Sequence, residues 1–351
     1  MTIQIGDVEV GPDSKPFIIG EMSANHRGSL ACALELVDAI AEAGASAVKL
    51  QTYTAETMTL DLDRDEFVID DPSSLWNGRR LYDLYDEAHT PWEWHEQIVE
   101  RATERGILCF STPFDATAVD FLVGLDVPCF KIASLENVDL PLIKKAARSG
   151  KPLIISTGVA TLDEIEEAVH AARDADCDQL VLLKCTSSYP ASPDHSHLRT
   201  IADLRQRFGC EVGLSDHTPG IGAAIAAVAM GATVIEKHVT ISRNSGSLDA
   251  AFSLEPPEFA ALVEEADRAR RAVGEVHYGP TDDEEGALRR RRSLYITRDL
   301  VAGERLTPDN LRSIRPGLGL TPKHFEELLG RVVVADVPAG TPADWSLIEK
   351  D

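Results

Sequence analysis

The chain has 351 residues, and its 34 Lys and Arg against 58 Asp and Glu give a formal net charge of −24. Its length fits one large domain, or a large domain followed by a small one. A strongly acidic protein repels polyanions, so we expect neither a nucleic acid nor a membrane surface as a partner. The hydrophobic fraction of 44% is that of a globular protein and not of a disordered one.

The first residues, MTIQIGDVEVGPDSKPF, lack the basic start and the apolar run of a secretory signal, so the sequence predicts a cytoplasmic protein. Six cysteines are scattered along the chain without a Cys-x-x-Cys pair. This spacing indicates neither a disulfide framework nor a thiolate zinc site, and we interpret the cysteines as small buried side chains.

Short apolar runs recur along the chain, and each is followed by a segment with helical periodicity. Runs that are apolar on both faces and alternate with helices are typical of a parallel sheet. Eight such units match a (β/α)8 barrel, the TIM barrel, in number and size, and a doubly wound sheet is the alternative. The eight runs begin at Phe17, Ala47, Ile107, Cys129, Leu153, Gln179, Glu211 and Thr233.

The spacing of these runs also predicts the domain organisation. Residues 1–275 would form the barrel, the acidic and then basic residues 276–292 a linker, and residues 293–351 a small domain of short strands and turns. One unusually long step between runs contains an insertion at about residues 54–91. An insertion that follows a strand lies at the C-terminal face of a barrel, where substrate loops are found.

Polar residues gather at the ends of the predicted strands, which is where a barrel enzyme carries its active site. Residues two apart on a strand share a face, so Lys49 and Gln51 point to the same side of their strand, as do Ser215 and His217. Both sets can therefore face the barrel axis. The group at the strand ends comprises Glu21, Asn25, Lys49, Gln51, Thr112, Lys131, Ser134, Glu136, Ser156, Thr157, Lys184, Ser187, Tyr189, Ser215, His217, Glu236 and His238.

Two histidines, His217 and His238, end neighbouring strands in this arrangement. Two imidazoles with an open coordination sphere suit a borderline divalent metal such as Mn²⁺, Co²⁺ or Zn²⁺. The alternative is that each is a hydrogen-bonded core residue.

Lys49 and Lys131 lie inside apolar strands, where an ammonium group is costly unless an anion pairs with it. This favours a phosphate or carboxylate ligand, with Ser134, Ser156 and Ser215 as neutral donors. Two alternatives remain open at this point. The lysines could pair with neighbouring glutamates, or one could be a Schiff-base nucleophile of an aldolase.

Several segments of the chain resemble the sialic-acid synthase family, which makes nonulosonic acids, and the resemblance covers nearly the whole chain. It implies a TIM barrel followed by a small antifreeze-like (SAF) domain. Within the family, SANH, the 75–95 insertion segment and DAAFSLEP resemble pseudaminic acid synthases most. The matching segments are GEMSANH (20–26), VKLQTY (48–53), FSTPFD (110–115), FKIAS (130–134), ISTG (155–158), KCTSSYP (184–190), GLSDHT (213–218), EKHVT (236–240) and RPGLG (315–319).

The resemblance implies a metal-dependent condensation of phosphoenolpyruvate with an N-acetylated amino sugar. His217 and His238 would hold the metal, with Mn²⁺ expected and Mg²⁺ or Co²⁺ as alternatives. Glu21 and Glu136 are candidates for proton transfer. The residues implied around phosphoenolpyruvate are Lys49, Thr112, Lys131, Ser134, Ser156 and Ser215, with Ser187 standing where relatives commonly have asparagine; those implied around the sugar are Glu136, Tyr189 and Asp249.

The resemblance also implies a domain-swapped homodimer, in which the SAF domain of one subunit covers the barrel of its partner and brings Arg315 to the neighbouring site. N-acetylneuraminate and legionaminate synthases, which take other amino sugars, are the alternative functions. A non-catalytic sugar-binding or ice-binding protein is a third, suggested only by the antifreeze-like segment.

Overall fold

The structure is a computed structural model that describes residues 2–72 and 74–349. It divides into two compact units, Met1–Gly274 and Glu275–Asp351, and each is described by itself.

The first unit is a closed barrel of eight parallel strands, which confirms the predicted (β/α)8 fold. Every predicted run starts within one residue of an observed strand. An antiparallel hairpin of β1 (Ile3–Ile5) and β2 (Val8–Val10) precedes the barrel. The barrel strands are β3 (Phe17–Glu21), β4 (Ala47–Thr52), β5 (Leu108–Pro113), β6 (Phe130–Ile132), β7 (Leu153–Ser156), β8 (Leu180–Cys185), β9 (Glu211–Asp216) and β10 (Val234–His238).

Helices follow each barrel strand and cover its outer face. Their ends carry ordinary signals; α7, for example, begins with a capping box in which Thr161 and Glu164 bond each other's backbone. In the part of the chain that the structure describes, no helix has the length and apolar character to cross a membrane. The helices of this unit are α1 (Leu30–Glu42), α2 (Ala55–Met58), α3 (Leu81–Ala88), α4 (His95–Glu104), α5 (Ala116–Gly124), α6 (Leu140–Ala147), α7 (Leu162–Arg173), α8 (Thr200–Phe208), α9 (Gly222–Ala229) and α10 (Pro256–Val273).

Close packing between helices and strands holds the barrel together. The strand residues are almost all buried, because side chains point either into the barrel or under the helices. In β3, Gly20 leaves no room for a side chain: a Cβ there would lie 2.7 Å from Ile40 of α1. Glycine is therefore required where this helix approaches its strand.

The second unit has its own small core, centred on Leu294, Ile296 and Leu311. Strands β11 (Ser293–Ile296) and β12 (Leu311–Ile314) pair antiparallel, with the short helices α11 (Glu285–Leu288) and α12 (Phe325–Leu328) on either side in the sequence. Helix α11 lies within the stretch that the sequence predicts to be a linker. Arg315 directly follows β12 and is exposed.

A buried ion pair joins the outer faces of β9 and β10. Lys237 Nζ lies 2.7 Å from Asp216 Oδ2, and both side chains are almost completely buried. Asp216 Oδ1 also accepts from the backbone N of Thr218 at 2.9 Å, and Lys237 donates to the carbonyl of Thr218. The pair therefore fixes the chain around His217 and beside His238, where the strands end.

Removing one partner of this pair leaves a buried charge without compensation. We expect Lys237→Met to lower the free energy of unfolding by about 3–5 kcal/mol, measured by urea denaturation. Arg268→Met, which breaks the exposed pair with Glu264, is the control and should cost under about 1 kcal/mol. Equal losses in the two variants would contradict a structural role for the buried pair.

Candidate active site

The C-terminal ends of the barrel strands bring two carboxylates against a buried lysine. Lys49 Nζ lies 2.7 Å from Glu21 Oε2 and 3.7 Å from Glu236 Oε1. It also donates to Thr112 Oγ1 at 3.1 Å. Gln51 Nε2, two residues along the same strand, donates to Glu21 Oε1 at 3.0 Å. The strand alternation that predicted a Lys49 and Gln51 pair facing the axis is thus observed.

Burial sets the charge of this cluster. It raises the pKa of Glu21 to about 7, against the opposing effect of Lys49. Burial also lowers the pKa of Lys131, whose Nζ donates to the carbonyl of Ile132 at 3.0 Å. Burial acts to raise the pKa of Glu236, but the nearby charges of Lys131 and Lys49 lower it below the usual value. Below about pH 7, where Glu21 is mostly protonated, two lysines face one carboxylate, which leaves the cluster suited to an anion.

Small hydroxyl groups gather beside the lysines. Ser134 Oγ accepts from the backbone N of Gly158 at 3.1 Å, and Ser215 Oγ donates to Glu236 Oε1 at 3.1 Å. Ser156 Oγ is buried without a hydrogen-bond partner. A Cβ on Gly158 would lie 2.3 Å from Ser187 Oγ and 2.6 Å from Ser134 Oγ, so this glycine lets the two serines approach. Buried donors of this kind need an acceptor, which an anion would supply.

The two histidines at the ends of β9 and β10 lie together, with ring centroids 5.2 Å apart. His217 Nδ1 lies 3.1 Å from the carbonyl of Thr186, so Nδ1 carries a proton and Nε2 is the nitrogen that could bind a metal. Burial acts to lower the pKa of His217, but its contacts with Cys185 and Thr186 raise it above the usual value, so a metal at Nε2 would displace a proton there. His238 Nδ1 is buried and has no hydrogen-bond partner. Burial lowers the pKa of His238 well below its usual value, so the imidazole is neutral, as a metal ligand must be.

These two imidazoles fit a divalent metal with an open coordination sphere. No cluster of three or more His, Cys, Asp and Glu suitable for a metal occurs in residues 2–72 and 74–349. Water and substrate oxygens would therefore supply the remaining ligands, as in catalytic sites. A carboxylate also lies beside this pair: Asp249 Oδ2 is 3.8 Å from His238 Nδ1.

A cavity of about 370 Å³ opens next to the histidines. Tyr189 forms one side, with its ring centroid 4.4 Å from that of His217 and 5.3 Å from that of Phe252. Trp76, from the 54–91 insertion, lies beside Tyr189, and their ring centroids are 6.0 Å apart. The insertion therefore contributes to this cavity at the C-terminal face of the barrel.

Two carboxyl groups, from Glu136 and Asp249, enter the same cavity. Asp249 Oδ2 accepts from the backbone N of Ala24 at 3.4 Å, and burial raises the pKa of Asp249. Glu136 Oε2 is buried without a hydrogen-bond partner, and burial raises the pKa of Glu136 to about 7. A carboxyl group with such a pKa can exchange a proton with a ligand near neutral pH.

The barrel brings most of the predicted site residues to one mouth. Arg315 is the exception, since it belongs to the second unit. The group at the mouth consists of Glu21, Lys49, Thr112, Lys131, Ser134, Glu136, Ser156, Ser187, Tyr189, Ser215, His217, His238 and Asp249.

Two residues of β8 differ in their placement: Lys184 does not join the other strand-end residues, whereas Cys185 is buried, as predicted, and faces the site. Lys184, grouped with the strand-end residues, bonds the carbonyl of Cys185 and Thr186 Oγ1 and lines a separate cavity with Asp194. Cys185, interpreted as a small core side chain, lies 3.9 Å from His217 Nδ1. This contact lowers the pKa of Cys185 to about 7 despite its burial. The register, which pairs Cys185 with Ser215, gives the correct face.

The raised pKa of Glu136 predicts a pH-dependent stability. Between its ordinary pKa of 4.5 and about 7, the folded chain holds this proton more tightly than the unfolded chain, so the free energy of unfolding falls as pH rises. We expect Glu136→Gln to reduce this fall by about 1–2 kcal/mol between pH 4.5 and 7.5, measured by urea denaturation. The exposed Glu166→Gln is the control, and parallel curves for wild type and Glu136→Gln would contradict the assignment.

Comparison with known proteins gives the family. The NeuB family matches residues 36–278, and the SAF domain matches residues 291–349. A pseudaminic acid synthase of Campylobacter jejuni is 43% identical over 96% of this chain and 97% of its own. An N,N'-diacetyllegionaminic acid synthase of Legionella pneumophila is 36% identical over 95% of this chain and 94% of its own.

Solved structures agree with this result. The N-acetylneuraminic acid synthetase of Leptospira borgpetersenii, in complex with citrate, superposes with a TM-score of 0.73 at 33% identity. The match covers 82% of this chain and 95% of that one. The resemblance predicted from the strand-end segments is thereby confirmed, and the chain belongs to the NeuB family and carries a SAF domain.

Proposed function

We propose that this chain condenses phosphoenolpyruvate with 2,4-diacetamido-2,4,6-trideoxy-L-altrose, giving pseudaminic acid and phosphate. The observation that carries the proposal is one barrel mouth in which buried Lys49 and Lys131 lie beside the paired histidines and the 370 Å³ cavity. The 43% identity to a pseudaminic acid synthase over almost the whole chain favours this sugar.

Phosphoenolpyruvate carries a phosphate and a carboxylate and fits the lysine and serine cluster. Lys49 and Lys131 balance its negative charge. Ser134, Ser156 and Ser215 offer hydroxyl donors. Ser187 replaces the family's common asparagine in the same small space beside Gly158, where a hydroxyl group still supplies one donor.

Family members depend on a metal, and His217 and His238 would hold it here, with Mn²⁺ as the proposed ion and Mg²⁺ or Co²⁺ as alternatives. When bound, a divalent ion supplies Lewis acidity at the aldehyde of the open-chain sugar. The chain's own part is orientation: Thr186 fixes the tautomer of His217, and Tyr189 and Phe252 pack against the histidine rings.

The reaction makes one carbon–carbon bond and replaces the C2–O bond to phosphate by a C2–O bond from water. C3 of phosphoenolpyruvate attacks the aldehyde carbon, whose oxygen takes a proton, and positive charge develops at C2. Water adds at C2 and loses a proton, and the tetrahedral intermediate releases phosphate by C–O cleavage. Glu21 and Glu136, both with a pKa of about 7, are the groups able to give and take these protons.

The second unit completes the proposed site in a dimer. We propose that Arg315 of one subunit reaches the sugar in the barrel of its partner and donates to an N-acetyl oxygen. Its exposure directly after β12 supports this, since an exposed guanidinium is available to bond a carbonyl. We also infer a cytoplasmic location, because phosphoenolpyruvate is a metabolite of that compartment.

A direct assay tests the proposed function. We expect the protein with phosphoenolpyruvate, Mn²⁺ and 2,4-diacetamido-2,4,6-trideoxy-L-altrose to release phosphate and form a nine-carbon acid, measured by phosphate release and product mass. His217→Ala or His238→Ala should lower kcat by at least about 10³-fold with an unchanged circular dichroism spectrum.

The assay also separates the alternatives. Faster turnover of another 2-acetamido sugar would identify an N-acetylneuraminate or legionaminate synthase. Borohydride trapping of pyruvate on a lysine would identify a Schiff-base aldolase, and sugar binding without turnover a non-catalytic protein. Full activity of a histidine variant after chelator treatment would contradict the metal site.

The role of Arg315 has its own test. Arg315→Ala should raise KM for the sugar by about 10-fold or more, as expected for the loss of a hydrogen bond to a charged group, while KM for phosphoenolpyruvate changes little. Arg312→Ala, an exposed arginine on β12, is the control. An equal rise in KM for the sugar and for phosphoenolpyruvate would contradict the domain-swapped site.

A further inference from the structure

The 54–91 insertion contributes an apolar wall to the cavity beside the histidines, and Phe114, Leu135 and Phe252 of the barrel unit add further apolar surface. The side chains of this wall are Met58, Ile69, Trp76, Leu81 and Leu84. We call this group the insertion wall. The carboxyl groups of the cavity, those of Glu136 and Asp249, lie outside the insertion, which also adds the hydroxyl group of Tyr85. The cavity therefore has chemically different sides.

The insertion wall is held in place by the chain's own bonds. The backbone N of Ile69 donates to the carbonyl of Arg79 at 2.9 Å, and the carbonyl of Ile69 accepts from Gly78 N at 2.7 Å. Tyr82 on α3 donates to Glu56 on α2 at 2.6 Å, which joins the two helices of the insertion. An ordered apolar surface of this kind discriminates between ligands without first having to fold around them.

The charges in the cavity restrict the ligand further. Among the described residues that line it there is neither Lys nor Arg, and its carboxyl groups are those of Glu136 and Asp249. A phosphate on the sugar would meet no lysine or arginine side chain among these lining residues. The cavity thus suits an uncharged sugar that presents apolar groups on one side.

We propose that the insertion wall determines sugar specificity by receiving the C6 methyl group of a 6-deoxy sugar. This inference rests on the proposed function, whose acceptor carries that methyl group. A hydroxyl at C6 would lose its water against Met58 and Ile69 without gaining a partner, which is unfavourable, whereas a methyl group gains by burial. A 6-phosphate would be disfavoured further, because its charges would also be desolvated.

Two sugars that differ by one atom test the proposal. The probes are 2,4-diacetamido-2,4,6-trideoxy-L-altrose and its 6-hydroxy counterpart, 2,4-diacetamido-2,4-dideoxy-L-altrose. We expect wild type to prefer the 6-deoxy sugar by about 10–200-fold in kcat/KM, the range for a small group in an apolar pocket. The 6-phosphate of the second sugar should be used less than either.

Variants of the insertion wall should remove this preference. We expect Met58→Gln and Ile69→Thr, both close in size to the original residues, each to lower the preference by about 5-fold or more. Leu60→Gln is the matched control, because Leu60 is 60% exposed in the same insertion and does not line the cavity. KM for phosphoenolpyruvate and the thermal midpoint should stay near wild type, which shows that the variants fold.

The outcomes distinguish the two proposals. Turnover of both L-altrose sugars with equal kcat/KM, or an unchanged preference in both variants, would overturn the role of the insertion wall and leave the proposed function standing. If the protein turns over neither L-altrose sugar but consumes another 2-acetamido sugar, the proposed function itself is overturned.

Discussion

The active site depends on two ammonium groups, Lys49 and Lys131, that are buried at the barrel mouth. A buried charge needs a partner, and here the partners are shared: Glu21 and Glu236 lie near both lysines, and burial raises the pKa of Glu21 to about 7, so that it is only partly ionised near neutral pH. Because the protein's carboxylates do not balance the lysines completely, an anionic substrate completes the arrangement. An acidic chain with a net charge of −24 thereby creates one local site for an anion.

The closed parallel barrel is what brings these groups together. Its strands run parallel, so their C-terminal ends all lie at one face of the barrel, and the side chains there that point inward meet at the mouth. The buried ion pair of Lys237 and Asp216, on the outer face of the barrel, holds the ends of β9 and β10 in place beside the histidines. The site is therefore built on rigid strands, which favours precise placement of metal ligands and substrate.

The insertion adds what the strands do not provide. The strand ends supply charged and hydroxyl groups, which suit phosphoenolpyruvate and the reacting carbonyl, whereas Met58, Ile69 and Trp76 supply an apolar surface. In the proposal above, chemistry common to the NeuB family and selection of a particular sugar reside in different parts of the barrel. A loop inserted after a strand can vary without disturbing the core, which makes it a suitable carrier of specificity.

The sequence by itself determined the eight strands, the buried lysines and the two histidines, because apolar runs and residues at strand ends are local features. It did not determine which side of β8 faces the axis. When both faces of a strand are apolar, alternation leaves the phase unresolved, and only the pairing of Cys185 with Ser215 turned Cys185 inward and Lys184 outward. The contact of the insertion with Tyr189 likewise joins residues far apart in the chain, and only the tertiary structure decided it.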